Sequence, residues 1–81
     1  MNSEEFLHLV AATRPVVVSE CRQALRDRPA CPVVELRDLV QEVHVKMWQG
    51  RERLARAQNQ HGWVRRVAQQ TARKCLRRLG R

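Results

Sequence analysis

Tyrosine is absent from this chain of 81 residues, and Phe6, Trp48 and Trp63 are its only aromatic side chains. A core with so few rings is filled by Leu, Val and Ala, which suits closely packed helices. Gly and Pro are also sparse, three of each, too few for the turns of a many-stranded sheet. No stretch approaches the ~18 apolar residues of a membrane span. The acidic N-terminus with its short apolar runs does not read as a signal peptide. Cys21, Cys31 and Cys75 are odd in number and lack C-x-x-C spacing, so the expectation is reduced, incidental thiols in a cytoplasmic protein. His8, His44 and His61 have no Cys or His at ligand spacing, which argues against a metal; His44 and His61 read most simply as surface residues. No G-x-S-x-G, P-loop or H-E-x-x-H is present, so an enzyme is not expected and no cofactor is called for. The length allows one small domain, which hides only about 60% of the surface its unfolded chain exposes.

Acidic residues are missing from the last third. All eight lie at or before Glu52, alongside seven basic residues, whereas nine basic residues follow from Arg53 onward. The net charge of +8 is therefore a near-neutral body with a strongly basic end. Such an end points to a polyanion, usually nucleic acid. A solvated helix tail is the plainer reading, but solubility alone would leave room for interspersed carboxylates, and there are none.

What is present is helical periodicity. Ser3 followed by Glu4 and Glu5 predicts a capped helix start, with Phe6, Leu7, Leu9, Val10 and Ala11 as an apolar face. Thr13-Arg14-Pro15 interrupts it, and Pro15 suits the first turn of a continuing or second helix. Val17, Val18, Cys21, Ala24 and Leu25 then keep a helical period up to Arg28, although Val16-Val17-Val18 is also strand-like. Arg28-Pro29-Ala30-Cys31-Pro32 is the clearest break. A helix is expected from about Glu35 to Gln49, with Leu36, Leu39, Val40, Val43 and Met47 on one face and Gly50 as its stop. Arg51 to His61 reads as a polar connection or a short helix, ended by Gly62. The last helix is expected over about Trp63 to Leu79, with Trp63, Val67, Thr71 and Cys75 four apart. The expected fold is all-α, a small bundle of three or four helices.

Within the Glu35–Gln49 helix, Leu39, Val43 and Met47 face inward while Asp38, Gln41 and Glu42 share an exposed side. Glu42 and Lys46 stand at the favourable i, i+4 spacing of a surface ion pair. An acidic patch on a helix backed by core suits docking on a basic protein surface and would not suit phosphate. The two ends of the domain thus want opposite partners, unlike a plain nucleic-acid binder.

The run Asp38-Leu39-Val40-Gln41-Glu42, followed by an apolar-rich stretch and Trp48, resembles the polymerase-docking helix in region 2 of bacterial sigma factors. Trp63-Val64-Arg65-Arg66-Val67-Ala68 similarly resembles the start of the family's promoter-binding helix. Their separation looks like that of the extracytoplasmic-function (ECF) type. The resemblance is most specific from about Leu36 to Arg78. It implies that Asp38, Gln41 and Glu42 contact the clamp helices of the β′ subunit of core RNA polymerase. It also implies a structural or DNA-backbone role for Arg66, a place at the upstream edge of the promoter −10 element for Gln70, and phosphate contacts for Arg73, Lys74, Arg77 and Arg78. The linker between the two helices is where the family captures a flipped base, at a cost of a few kcal/mol of unstacking. Here Leu54 stands near the family's aromatic position, and Gln58, Asn59 and Gln60 are the candidate base-capture residues.

By this resemblance residues 1–81 form one region 2-like domain, with no room for the helix-turn-helix of region 4 that reads the −35 element. The implied function is promoter recognition and melting on the non-template strand, with promoter DNA, core polymerase and an anti-sigma factor as partners. The alternative is a sigma-like interaction module that binds polymerase or an anti-sigma factor without directing initiation.

Overall fold

Asn2, rather than Ser3, opens the first helix. The structure, a computed structural model, describes residues 1–27 and 34–79, with the backbone alone for residue 79. Helix α1 runs over Ser3–Asp27. The Asn2 side chain accepts the Glu5 N–H at 2.8 Å, and the Asn2 carbonyl accepts the Phe6 N–H at 3.0 Å, so Asn2 occupies the N-cap. Ser3 falls one position inside, beside Glu4 and Glu5, whose charges favour the positive end of the helix dipole.

The interruption expected at Thr13-Arg14-Pro15 does not occur, and α1 is continuous through it. Pro15 removes the N–H that would bond the Ala11 carbonyl, and its ring crowds that carbonyl. Both Ala11 and Pro15 are exposed, so water can take the freed carbonyl and the helix can bend outward to relieve the crowding. Thr13 is buried, and its hydroxyl donates to the Leu9 carbonyl at 2.8 Å, satisfied within the same turn. The strand-like Val16-Val17-Val18 is helical, with Val17 fully buried. The break expected at Arg28-Pro29-Ala30-Cys31-Pro32 lies outside the described residues.

Helix α2 spans Leu36–Gln49, as its apolar period predicts. Glu35 is its N-cap residue, and the Asp38 carboxylate reaches back to accept the Glu35 N–H at 3.3 Å, half of a capping box. Gly50 ends α2 with its N–H on the Lys46 carbonyl at 3.0 Å, and it also starts α3, the short helix Arg51–Arg56. A Cβ on Gly50 would stand 3.0 Å from Cη2 of Trp63, so the bare backbone here lets the indole approach. The last helix, α4, covers Gln60–Leu79 and begins three residues before the expected Trp63. Asn59 is the reason: its side-chain oxygen accepts the Gly62 N–H at 2.9 Å. Gly62 therefore sits in the first turn of α4 instead of closing a loop.

α1, α2 and α4 each pack on the other two, and α3 is a corner between α2 and α4. The long dimension of 38 Å matches α1 itself, 25 residues at about 1.5 Å each. Phe6, Val17, Cys21 and Ala24 from α1 meet Leu39, Val43 and Met47 from α2, Leu54 from α3, and Val64, Ala68, Ala72 and Leu76 from α4. Ala68 and Ala72, one turn apart, keep the α4 core stripe thin and leave room for larger neighbours. Among the described residues the bundle is four helices with no strand.

Candidate functional site

Side chains at i, i+4, i+7 and i+11 form one row along a helix. On α4 that row is Arg66, Gln70, Arg73 and Arg77, all exposed. It runs about 16 Å at 1.5 Å per residue, with the core stripe of Val64, Ala68, Ala72 and Leu76 behind it. Lys74 and Arg78 lie to one side and, with Gln70, line a groove between α2 and α4 that also holds Glu42, Lys46 and Trp63. On the other side, Gln69 donates to both oxygens of Glu20 on α1, at 3.3 and 3.1 Å, fixing the roll of α4 on α1. The six predicted nucleic-acid residues are thus brought onto one helix but not into one set. Four share the outward row, while two turn toward the acidic helix.

Arg73 and Arg77 border a hollow that includes Asp27 at the end of α1. Asp27 accepts a hydrogen bond from Gln23 at 3.1 Å and forms no ion pair with either arginine. The only ion pair among the described residues is Arg37 with Glu35, at 3.1 Å. The Glu42–Lys46 pair expected from spacing is not formed; both side chains instead face the α2/α4 groove. Among the described residues, the basic row therefore carries its charge unpaired.

Asp38 and Gln41 are exposed and Glu42 is half-buried. They border a shallow hollow with Val34, Val45 and Cys75, and Arg78 of α4 faces them across it. Val45, one turn beyond Gln41, is 46% exposed, so an apolar side chain adjoins the acidic patch. Asp38 serves twice: its carboxylate holds the first turn of α2 while remaining open to solvent.

The candidate base-capture residues divide by local duty. Asn59 caps α4, and a Cβ on Gly62 would come within 2.9 Å of its amide nitrogen. The Gln60 amide donates to the Leu54 carbonyl at 3.3 Å, closing the last turn of α3. Gln58 is exposed and holds no hydrogen bond within the described residues, leaving its amide free. Sequence reasoning treats the three alike, yet an Asn a few residues ahead of the apolar period that starts at Trp63 is itself an N-cap signal.

Both tryptophans bridge core and surface. Trp48, 38% exposed, meets Phe6 edge-on with ring centres 5.0 Å apart and carries the Arg51 guanidinium 4.0 Å above its ring. Arg51 also donates to the Trp48 carbonyl at 2.9 Å. Trp63 is half-buried against Gly50 and lines the α2/α4 groove. His61 is exposed as expected, but His44 is half-buried with no partner for its Nε2. Burial, then nearby Arg14, holds its pKa below the ordinary histidine value. Its place on the face of α2 turned to α1, not its sequence neighbours, sets this. Burial pushes the Cys21 thiol up to about 11, with Glu20 and then Cys75 adding to it, so Cys21 is an inert core thiol.

The bundle thus sets a row of basic side chains without ion pairs on one helix beside an acidic, partly apolar face on its neighbour. Residues 9–81 match the Sigma-70 region 2 family, and the chain belongs to that family. Its members are non-enzymatic transcription-factor domains that bind core RNA polymerase and promoter DNA. The match takes in most of α1 and all of α2, α3 and α4. No curated protein and no solved structure matches the chain. Among the described residues, no helix is long and apolar enough to cross a membrane.

Proposed function

We propose that this domain acts as an ECF-type sigma region 2 in the cytoplasm, docking on the β′ clamp helices of core polymerase and opening the −10 element by holding its non-template strand. The observation that carries this is the opposed chemistry of two helices packed side by side. α2 offers Asp38, Gln41 and Glu42 beside Val45, and α4 offers Arg66, Gln70, Arg73 and Arg77 in an outward row. The row would hold phosphates, which positions the strand without reading it. Lys74 and Arg78, turned into the α2/α4 groove, would meet a strand that bends toward Trp63 and the α3–α4 corner. At that corner Gln58 is the base-reading residue of choice, because Asn59 and Gln60 are engaged in holding helix ends.

The test is fluorescence anisotropy with labelled single strands of −10 and scrambled sequence, and with the −10 duplex. The domain should prefer the −10 single strand, and Gln58→Ala should erase that preference while leaving overall affinity nearly unchanged. Competition binding with core polymerase completes it. Polymerase binding without any strand preference would favour a sigma-like module that occupies polymerase, or an anti-sigma factor, without directing initiation. Retention of the whole α2 face beside a linker lacking the family's aromatic residue, with Leu54 buried near that place, is what supports that second reading.

A further inference from the structure

α1 and α2 form a groove on the side of the bundle away from α4, and no residue of α4 lines it. Its floor is largely apolar, Val18 from α1 with Leu36 and Val40 from α2, and the half-buried His44 lies beside them. Arg14 and Arg22 stand along the α1 wall, both exposed, and Val18 lies midway between them in the same i, i+4, i+8 row. Their Cα atoms are eight residues apart, about 12 Å at 1.5 Å per residue. No acidic residue lines the groove. On the opposite wall Arg37 is already held by Glu35 at 3.1 Å, so the unanswered positive charge belongs to Arg14 and Arg22.

We propose that this groove is a docking site for an acidic amphipathic helix of a partner protein, with an apolar side chain on Val18 and Val40 and two carboxylates, two turns apart, on Arg14 and Arg22. The apolar floor separates this occupant from a nucleic-acid strand, which would leave Val18, Leu36 and Val40 covered by sugar and phosphate. The free charge sits only on the α1 wall, so the occupant carries its acids on one edge and not all round. A helix laid here would complete the side of the bundle that α4 leaves open, packing ridge into groove as α1 and α2 do on each other. Gln41 lines this groove and also borders the hollow beside Asp38 and Glu42, so an occupant would abut the acidic face without needing it. The site stands on its own observations, whatever the reading of the α2 and α4 faces.

The probe is a synthetic 18-residue helical peptide with two glutamates eight residues apart and a leucine midway between them. A peptide of the same composition in scrambled order is the first control, and a labelled single-stranded oligonucleotide is the second. Binding to the 81-residue protein is read by anisotropy at fixed salt. The patterned peptide should bind at least about tenfold tighter than the scrambled one, and Arg14→Ala with Arg22→Ala should remove about tenfold of its affinity. Arg22→Glu alone should do nearly the same. All these side chains are exposed, and circular dichroism confirms that each variant keeps its helices. Oligonucleotide binding should not change in these variants. Equal binding of the two peptides, or unchanged peptide affinity in the double variant, would overturn the proposal. So would loss of oligonucleotide binding in that variant, which would make the groove a nucleic-acid surface.

Discussion

α2 and α4 lie against each other in one bundle, yet their surfaces are organised differently. On α2 the acidic side chains are drawn into local structure: Asp38 caps the helix and Glu42 is half-buried beside the groove. On α4 the basic residues of the outward row take part in no ion pair and no side-chain hydrogen bond within the described residues. A face with one group held and another half-buried leaves less side-chain entropy to lose on meeting a protein partner. A face of free arginines offers charge to a polyanion of variable shape, where counterion release supplies the affinity. The lesson is that the two ends differ in preorganisation as well as in sign.

Neutralising the α4 row should give the largest effect. Replacing Arg66, Arg73 and Arg77 by Ala should weaken single-strand binding about a hundredfold at low salt. It should also make the slope of log affinity against log salt shallower by roughly 2, as read by anisotropy from about 50 to 200 mM salt, with the remainder left to Lys74 and Arg78. Polymerase affinity should be unchanged. If both affinities fell together, the division between the helices would be broken.

The reciprocal change should cost less. Gln41→Ala with Glu42→Lys should lower polymerase affinity about tenfold in competition binding. Single-strand affinity should hold or rise slightly, because a positive charge is added to the groove that Lys74 and Arg78 share. Wild-type polymerase affinity would remove α2 as the docking face.

The corner between the helices sharpens the comparison further. Asn59→Ala should destabilise the fold by about 1 kcal/mol in urea denaturation, as lost caps do, whereas Asn59→Ser should cost only a few tenths. A loss of −10 preference in the Ser variant would show that Asn59 reads a base as well as capping α4.

His44 should give the smallest effect, and only in acid. Its folded-state pKa is lowered by burial, so the unfolded chain binds the proton more readily. Stability should then fall as pH drops through the unfolded value of about 6.5, and level out below the folded value. Above that window the contribution vanishes. Urea midpoints at pH 7.5 and 5.5 should therefore differ more in the wild type than in His44→Gln.

The helices themselves were the legible part. The period of Leu39, Val43 and Met47 placed α2 within a residue, and the four-residue spacing from Trp63 to Cys75 placed the body of α4. What sequence reading missed were choices between near-equal local signals. Asn2 and Ser3 are both good caps, and only the chain path selects Asn2. Pro15 looked like an interruption because its tolerance depends on the exposure of Ala11 and Pro15 to water, a tertiary fact. Of the candidate site, the residues were legible but their grouping was not. That Lys74 and Arg78 turn toward α2 follows from how α4 rolls against α1, which Gln69 and Glu20 help to set across 49 positions of sequence. The burial of His44 and the groove between α1 and α2 depend on the same kind of long-range contact.

The two indoles make the molecule its own optical instrument. Trp48 lies under a guanidinium at the α1/α2 end, while Trp63 rests against Gly50 on the seam where α2, α3 and α4 meet. With no tyrosine in the chain, the near-ultraviolet emission comes essentially from these two rings at any exciting wavelength. Replacing Trp48 by Phe would keep an aromatic partner for Phe6 and leave Trp63 as the sole emitter, placed on the basic helix itself in the wall of the α2/α4 groove. A base stacking nearby would quench it and water leaving the groove would shift it to the blue. Strand capture could then be followed in real time without a dye on either molecule.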